Sequence, residues 1–146
     1  MVVRSLPKSF GVSSGAVANI TDCEIDQGDV TADISSGSQM RMVDMDGDIR
    51  RLSVEASSGA GFAMNGNLNL QQADLAVSSG GSVSLADDVI VQELIVGISS
   101  GAFVDACGAR EAISGRISSG GRLSVGADAK VQGLEASSGG RIRTDC

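Results

Sequence analysis

Leu52-Ser53-Val54-Glu55-Ala56-Ser57-Ser58-Gly59 carries the pattern that decides the fold. Its apolar residues Leu52, Val54 and Ala56 alternate with polar ones, the period of a half-buried strand, and the strand runs into Ser-Ser-Gly. That tripeptide occurs seven times: Ser13-Ser14-Gly15, Ser35-Ser36-Gly37, Ser57-Ser58-Gly59, Ser78-Ser79-Gly80, Ser99-Ser100-Gly101, Ser118-Ser119-Gly120 and Ser137-Ser138-Gly139. Successive copies lie 22, 22, 21, 21, 19 and 19 residues apart. A near-constant period of this size is the signature of a solenoid.

Aligning the copies exposes the columns. The residue before each Ser-Ser-Gly is apolar: Val12, Ile34, Ala56, Val77, Ile98, Ile117 and Ala136. Three and five residues past each glycine come Ala18/Ile20, Met40/Met42, Phe62/Met64, Val83/Leu85, Val104/Ala106, Leu123/Val125 and Ile142/Thr144. Each coil therefore carries a strand before and a strand after the motif. A weaker third strand is marked by Ile25, by Leu68 with Leu70, and by Val89 with Val91. Stacked coils place equivalent residues about 4.8 Å apart as parallel neighbours. Ser-Ser-Gly reads as the sharpest corner, since glycine accepts positive φ and hydroxyls can satisfy backbone groups freed by the bend. Strict alternation through Ile34 predicts Ser35 outward and Ser36 inward, with the second serines forming an internal hydroxyl ladder. A helix over 87–98 is rejected, because the segment is β-branched and short between glycines.

The chain has 146 residues, enough for one domain, and 42% apolar residues. It has no Trp, Tyr or His and 20 Gly, so aliphatic and small side chains must build the interior. Residues 1–10 fall outside the repeat and read as an N-terminal cap or tail, and 11–146 as a single solenoid domain. A net charge of -7 argues against nucleic acid or an anionic membrane as partner. No run is long and apolar enough for membrane insertion, and Met1 to Pro7 shows no signal peptide. Cys23, Cys107 and Cys146 are odd in number and lack CxxC spacing, so neither a zinc site nor a closed disulfide framework is indicated. Coil spacing puts Cys23 roughly 19 Å from Cys107, beyond the bridging limit of about 7 Å, and about two coils make Cys146 look too distant as well.

The blocks Leu52 to Gly59, Leu75-Ala76-Val77-Ser78-Ser79-Gly80-Gly81 and Leu134-Glu135-Ala136-Ser137-Ser138-Gly139-Gly140 resemble a repeated phrase, L-x-V-x-A-S-S-G. It belongs to the head GIN domain family of putative auto-transporter adhesins. The resemblance runs from about Ile34 to the last residue. It implies a right-handed parallel β-helix, here of about six to seven coils with 19–22 residues each, and an extracellular or cell-envelope bacterial protein. It brings no catalytic residue and no cofactor.

Several constellations compete with a purely structural reading. The serines lack a histidine base, and seven equivalent copies speak for corners: Ser35, Ser36, Gly37, Ser57, Ser58, Gly59, Ser78, Ser79, Gly80, Ser99, Ser100, Gly101, Ser118, Ser119, Gly120, Ser137, Ser138 and Gly139. Asp44, Asp46 and Asp48 have the spacing that opens a calcium loop, with Glu55 at loop position 12. Gly47 and Leu52 break that pattern, so the segment reads as a solvated acidic corner and only a weak metal candidate. Asp87, Asp88 or Glu93 offer an acid and base for polysaccharide cleavage, but no aromatic platform accompanies them. Thr21, Thr31 and Thr144 make no threonine ladder for an ice-binding face. The expected function is a non-enzymatic adhesion module that binds a glycan or protein. The alternative is a homo-oligomer polymerising through solenoid ends. Arg41, Arg50, Arg51, Arg116, Arg122, Arg141 and Arg143 are expected on lateral faces, against acidic neighbours or solvent.

Overall fold

Every Ser-Ser-Gly closes the same turn. The second serine has φ between 50° and 59° and the glycine between 73° and 84°. The residue after the glycine donates its N–H to the first serine's carbonyl at 2.8–3.3 Å. Positive φ at both central positions with this bond defines a type I′ turn. The computed structural model describes residues 9–21, 24–86, 88–126 and 130–144.

The turns are stitched together as well as closed. Six bonds of 2.9–3.1 Å run from each corner glycine N–H to the second serine's carbonyl in the next coil, from Gly15 to Ser36 through Gly120 to Ser138. The first serine of each coil donates back to the residue before the preceding motif, as Ser99 does to Val77. The N–H groups of the first serine, the glycine and the residue after it are thus engaged within or between coils.

Between the serine corners the described strands all pair in parallel. The strands are β1 (Ser9–Val12), β2 (Val17–Thr21), β3 (Glu24–Ile34), β4 (Gln39–Ala56), β5 (Gly61–Val77), β6 (Ser82–Leu85), β7 (Val89–Ile98), β8 (Phe103–Ala106), β9 (Ala109–Ile117), β10 (Arg122–Val125), β11 (Val131–Ala136) and β12 (Arg141–Arg143). One path climbs β2, β4, β5, β6, β8, β10 and β12, the other β1, β3, β4, β5, β7, β9 and β11, with β4 and β5 long enough to serve both. The result is an all-β parallel solenoid of about six stacked coils. Of the segment 87–98, residues 89–98 are extended as β7, Asp88 is in a turn, and Asp87 lies outside the described residues. The third apolar patch falls into register too, Leu68 beside Val89 and Leu70 beside Val91.

The interior is the aliphatic column read from the repeat. Ile34, Ala56, Val77, Ile98 and Ile117 are buried, as are Met40, Met42, Phe62, Met64, Val83, Leu85, Val104, Ala106, Leu123 and Val125. Ala136 and Thr144 are exposed and Ile142 is half-buried, because β11 pairs only with β9 and β12 only with β10 among the described residues.

Two expectations are corrected. Ser36 and its counterparts are exposed, so the second serines form no internal hydroxyl ladder. Alternation presumes extended backbone, and the left-handed φ at the second serine swings that side chain outward. The inward place passes to the residue after the glycine: Ser38, Ala60, Gly81, Ala102 and Gly121 are buried there. Only small side chains fit, since a Cβ on Gly81 would meet Ala56 O at 2.9 Å and one on Gly121 would meet Ile98 Cγ2 at 2.6 Å. Ser38 is fully buried and its hydroxyl has no hydrogen-bond partner among the described residues.

Cys107 is disulfide-bonded, which overturns one of the two distance arguments that kept it from a partner. Rung spacing limits residues inside strands, whereas Cys107 sits in the turn after β8, outside the ladder. Cys23 and Cys146 lie outside the described residues.

Candidate site: a lateral groove beside the serine corners

The strands that lead into the serine corners present one outward column immediately ahead of each apolar residue. Ladder pairing sets Asp33 beside Glu55, Glu55 beside Ala76, Ala76 beside Gly97, Gly97 beside Arg116 and Arg116 beside Glu135. Charge sits at both ends of this run and two short side chains in the middle. The dip between them forms a groove of about 480 Å³ along the rod. Its lining includes Asp33, Glu55, Ala76, Gly97 and Arg116, with the half-buried first serines Ser57, Ser78, Ser99 and Ser118 along one wall. Three rungs separate Glu55 from Arg116, about 14 Å at sheet spacing.

Gly97, like Gly11 lower in the same column, sits in a strand without a conformational need for glycine. Its φ is not in the left-handed range, and a Cβ built on it would meet nothing within 4 Å. A glycine inside a strand weakens it and often marks a close approach by a ligand or another backbone. Neither conformation nor packing asks for one here.

The strands below the groove keep their backbone groups engaged. Ser57 N donates to Ile34 O, Ser78 N to Ala56 O, Ser99 N to Val77 O and Ser118 N to Ile98 O, at 2.9–3.1 Å. What remains for an occupant is hydroxyl, carboxylate and guanidinium. The Arg116 guanidinium approaches Glu135 Oε2 at 3.6 Å, but both side chains are largely exposed, so this pair is weak.

A second, wholly polar groove of about 490 Å³ lies across the coil, lined by Asp29, Arg50, Arg51, Gln71, Gln72 and Glu93. Arg50 forks onto Asp29 with Nε at 3.1 Å and Nη2 at 3.0 Å, and Arg51 reaches Asp74 at 3.7 Å. The hydrogen bond to Asp29, and then its charge, raise the Arg50 guanidinium above its ordinary value. All seven arginines named from the sequence are exposed. Arg50, Arg51 and Arg116 have carboxylate partners in neighbouring coils.

The other sequence candidates are not gathered into a site. Asp44, Asp46 and Asp48 are exposed, and among the described residues no group of three or more His, Cys, Asp or Glu side chains is placed to hold a metal. Asp44 takes φ 55° and donates its N–H to Asn65 Oδ1 at 3.0 Å, so it is a corner residue. Asp88 is exposed in the turn before β7, Glu93 lines the polar groove, and Asp87 lies outside the described residues. The Glu55, Gly97 and Arg116 groove was missed by sequence reasoning. Its signal was present in the column Gly11, Asp33, Glu55, Ala76, Gly97, Arg116, Glu135, read vertically as the apolar columns were.

No helix among the described residues is long and apolar enough to cross a membrane. No curated protein and no solved structure matches the chain. A family model described as "Putative auto-transporter adhesin, head GIN domain" matches residues 7–129, covering most of the repeat. The chain belongs to that family.

Proposed function

We propose that this solenoid is a non-enzymatic adhesion module, secreted or displayed on the cell surface, that holds a glycan or protein partner against its side. The observation that carries the reading is the lateral groove, with Glu55 at one end, Arg116 at the other and a row of serine hydroxyls between. Regular coils repeat one surface chemistry at each rung, which suits extended partners better than a single reacting bond. The family's adhesin description supports the same reading. Retention of the purified monomer on an array of glycans and matrix proteins tests it. Selective retention is expected. Turnover of any polysaccharide, or retention of nothing, overturns it.

A second reading rests on β11 and β12. Each has one paired neighbour among the described residues, and Leu134 and Ile142 are only half-buried on them. Unpaired strand edges of this kind template addition of another chain. End-to-end assembly predicts rods in negative-stain images that lengthen with concentration and vanish in Ile142→Pro. A monodisperse monomer at high concentration removes this reading.

A further inference from the structure

We infer that the Glu55 to Arg116 groove takes a short oligosaccharide lying along the rod, neutral over most of its length and carrying one acidic sugar, whose carboxylate sits on Arg116. This deepens the adhesion reading and rests on it.

Three features choose the ligand. The groove's volume, about 480 Å³, lies within the range of about 300–1,000 Å³ typical of small-ligand sites. Its floor at Ala76 and Gly97 offers no hydrogen-bonding side chain, while Ser57, Ser78, Ser99 and Ser118 supply hydroxyls one rung, about 4.8 Å, apart. A chain of sugars presents hydroxyls that both donate and accept, so it can meet serine at every step. An extended peptide binds sheets through its backbone, and the backbone groups it would need beside the serines are already paired between coils.

The charges set composition and direction. Arg116 offers a planar fork that matches a carboxylate. Asp33 and Glu55 at the opposite end accept hydrogen bonds from neutral hydroxyls and repel further acid. A uniformly anionic chain is therefore disfavoured, as is a polyphosphate such as nucleic acid. An oligosaccharide with a single uronic acid satisfies both ends in one orientation only.

Gly97 keeps the floor open. Because a Cβ there meets nothing, Gly97→Val fits the strand, raises its β-propensity and fills the groove. Loss of binding is thereby separated from loss of folding.

The experiment is calorimetric titration of the whole chain with three trisaccharides: neutral, carrying one terminal uronic acid, and all-uronate. The mono-acid is expected to bind at least about tenfold more tightly than the neutral one, the worth of one charge-assisted hydrogen bond, with the all-uronate weaker than the mono-acid. Arg116→Gln should bring the mono-acid down to the neutral level. Glu135→Gln, which releases Arg116 from its ion pair, should tighten it a few-fold. Gly97→Val should abolish binding while its melting temperature holds or rises. The inference is overturned if Gly97→Val binds like the parent, if Arg116→Gln changes nothing, or if neutral and acidic trisaccharides bind equally. It is also overturned if none of the three binds. Should Gly97→Val keep the parent's retention on the glycan and matrix array, the adhesion reading survives and only this site falls. If the parent is retained on nothing, both fall.

Discussion

Each coil turns at the serine corner and again at the corner after the following short strand, and the two are built on opposite plans. The serine corner is one turn repeated, with the same pair of positive φ values and the same bonds in every copy. At the second corner the described coils each differ. One copy uses Asp44 in the left-handed region, its N–H bound to Asn65 Oδ1. The next uses Gly66 at φ 125°, another a turn closed by Val89 N to Ala86 O at 3.0 Å, and another Cys107-Gly108.

The change of period originates at this second corner. Leu85 pairs with Ala106 and Val91 with Ala109, so the chain takes six residues (91 − 85) in one coil and three (109 − 106) in the next. Leu94 pairs with Ile113, returning one residue (113 − 109 = 4 against 94 − 91 = 3). The net loss of two is the step from 21 to 19. A corner defined by backbone bonds between coils tolerates no insertion, while one defined by local fit absorbs it.

The sharpest way to probe that contrast is to add a methyl group at each corner. Gly66→Ala should cost most, about 3 kcal/mol or more, because its Cβ would lie 2.1 Å from Met45 O and the backbone must move. Gly101→Ala should cost about 1–2 kcal/mol, the price of left-handed φ alone, since nothing lies within 4 Å of that Cβ. Chemical denaturation measures both, and equal losses would erase the distinction. Asn65→Ala should cost about 1 kcal/mol by stripping the bond to Asp44 N–H, with no counterpart at the serine corners. Ser38→Ala works in the other direction. Removing a buried hydroxyl without a partner should raise stability by about 1 kcal/mol, seen as a higher melting temperature; a fall would mean the hydroxyl is satisfied.

The same contrast explains what could be read from the residues. Period, strand alternation and the apolar columns were legible, because Val77, Ile98 and Ile117 stack without change of register and only apolar side chains survive there. The orientation of Ser36 was not. It depends on a left-handed φ that serine rarely adopts and that is stabilised here by bonds to a neighbouring coil, information held at a distance of 22 residues. The site was half-legible. Asp44, Asp46 and Asp48 drew the eye because they are close in the chain, yet among the described residues no group of three such side chains is placed to hold a metal. Glu55 and Arg116 lie 61 positions apart (116 − 55) and meet one groove, because stacking turns sequence distance into a few rungs.

The interlocked serine corners carry a consequence for length. Since every corner offers its neighbour the same donor and acceptor, one coil can be excised there without leaving a scar: deleting residues 80–100 joins Ser79 to Gly101 and restores Ser-Ser-Gly. The product would be shorter by a single stride of about 4.8 Å. Such a molecule is a ruler graduated in whole coils, and the reach of whatever it carries can be lengthened or trimmed by duplication or loss of one graduation.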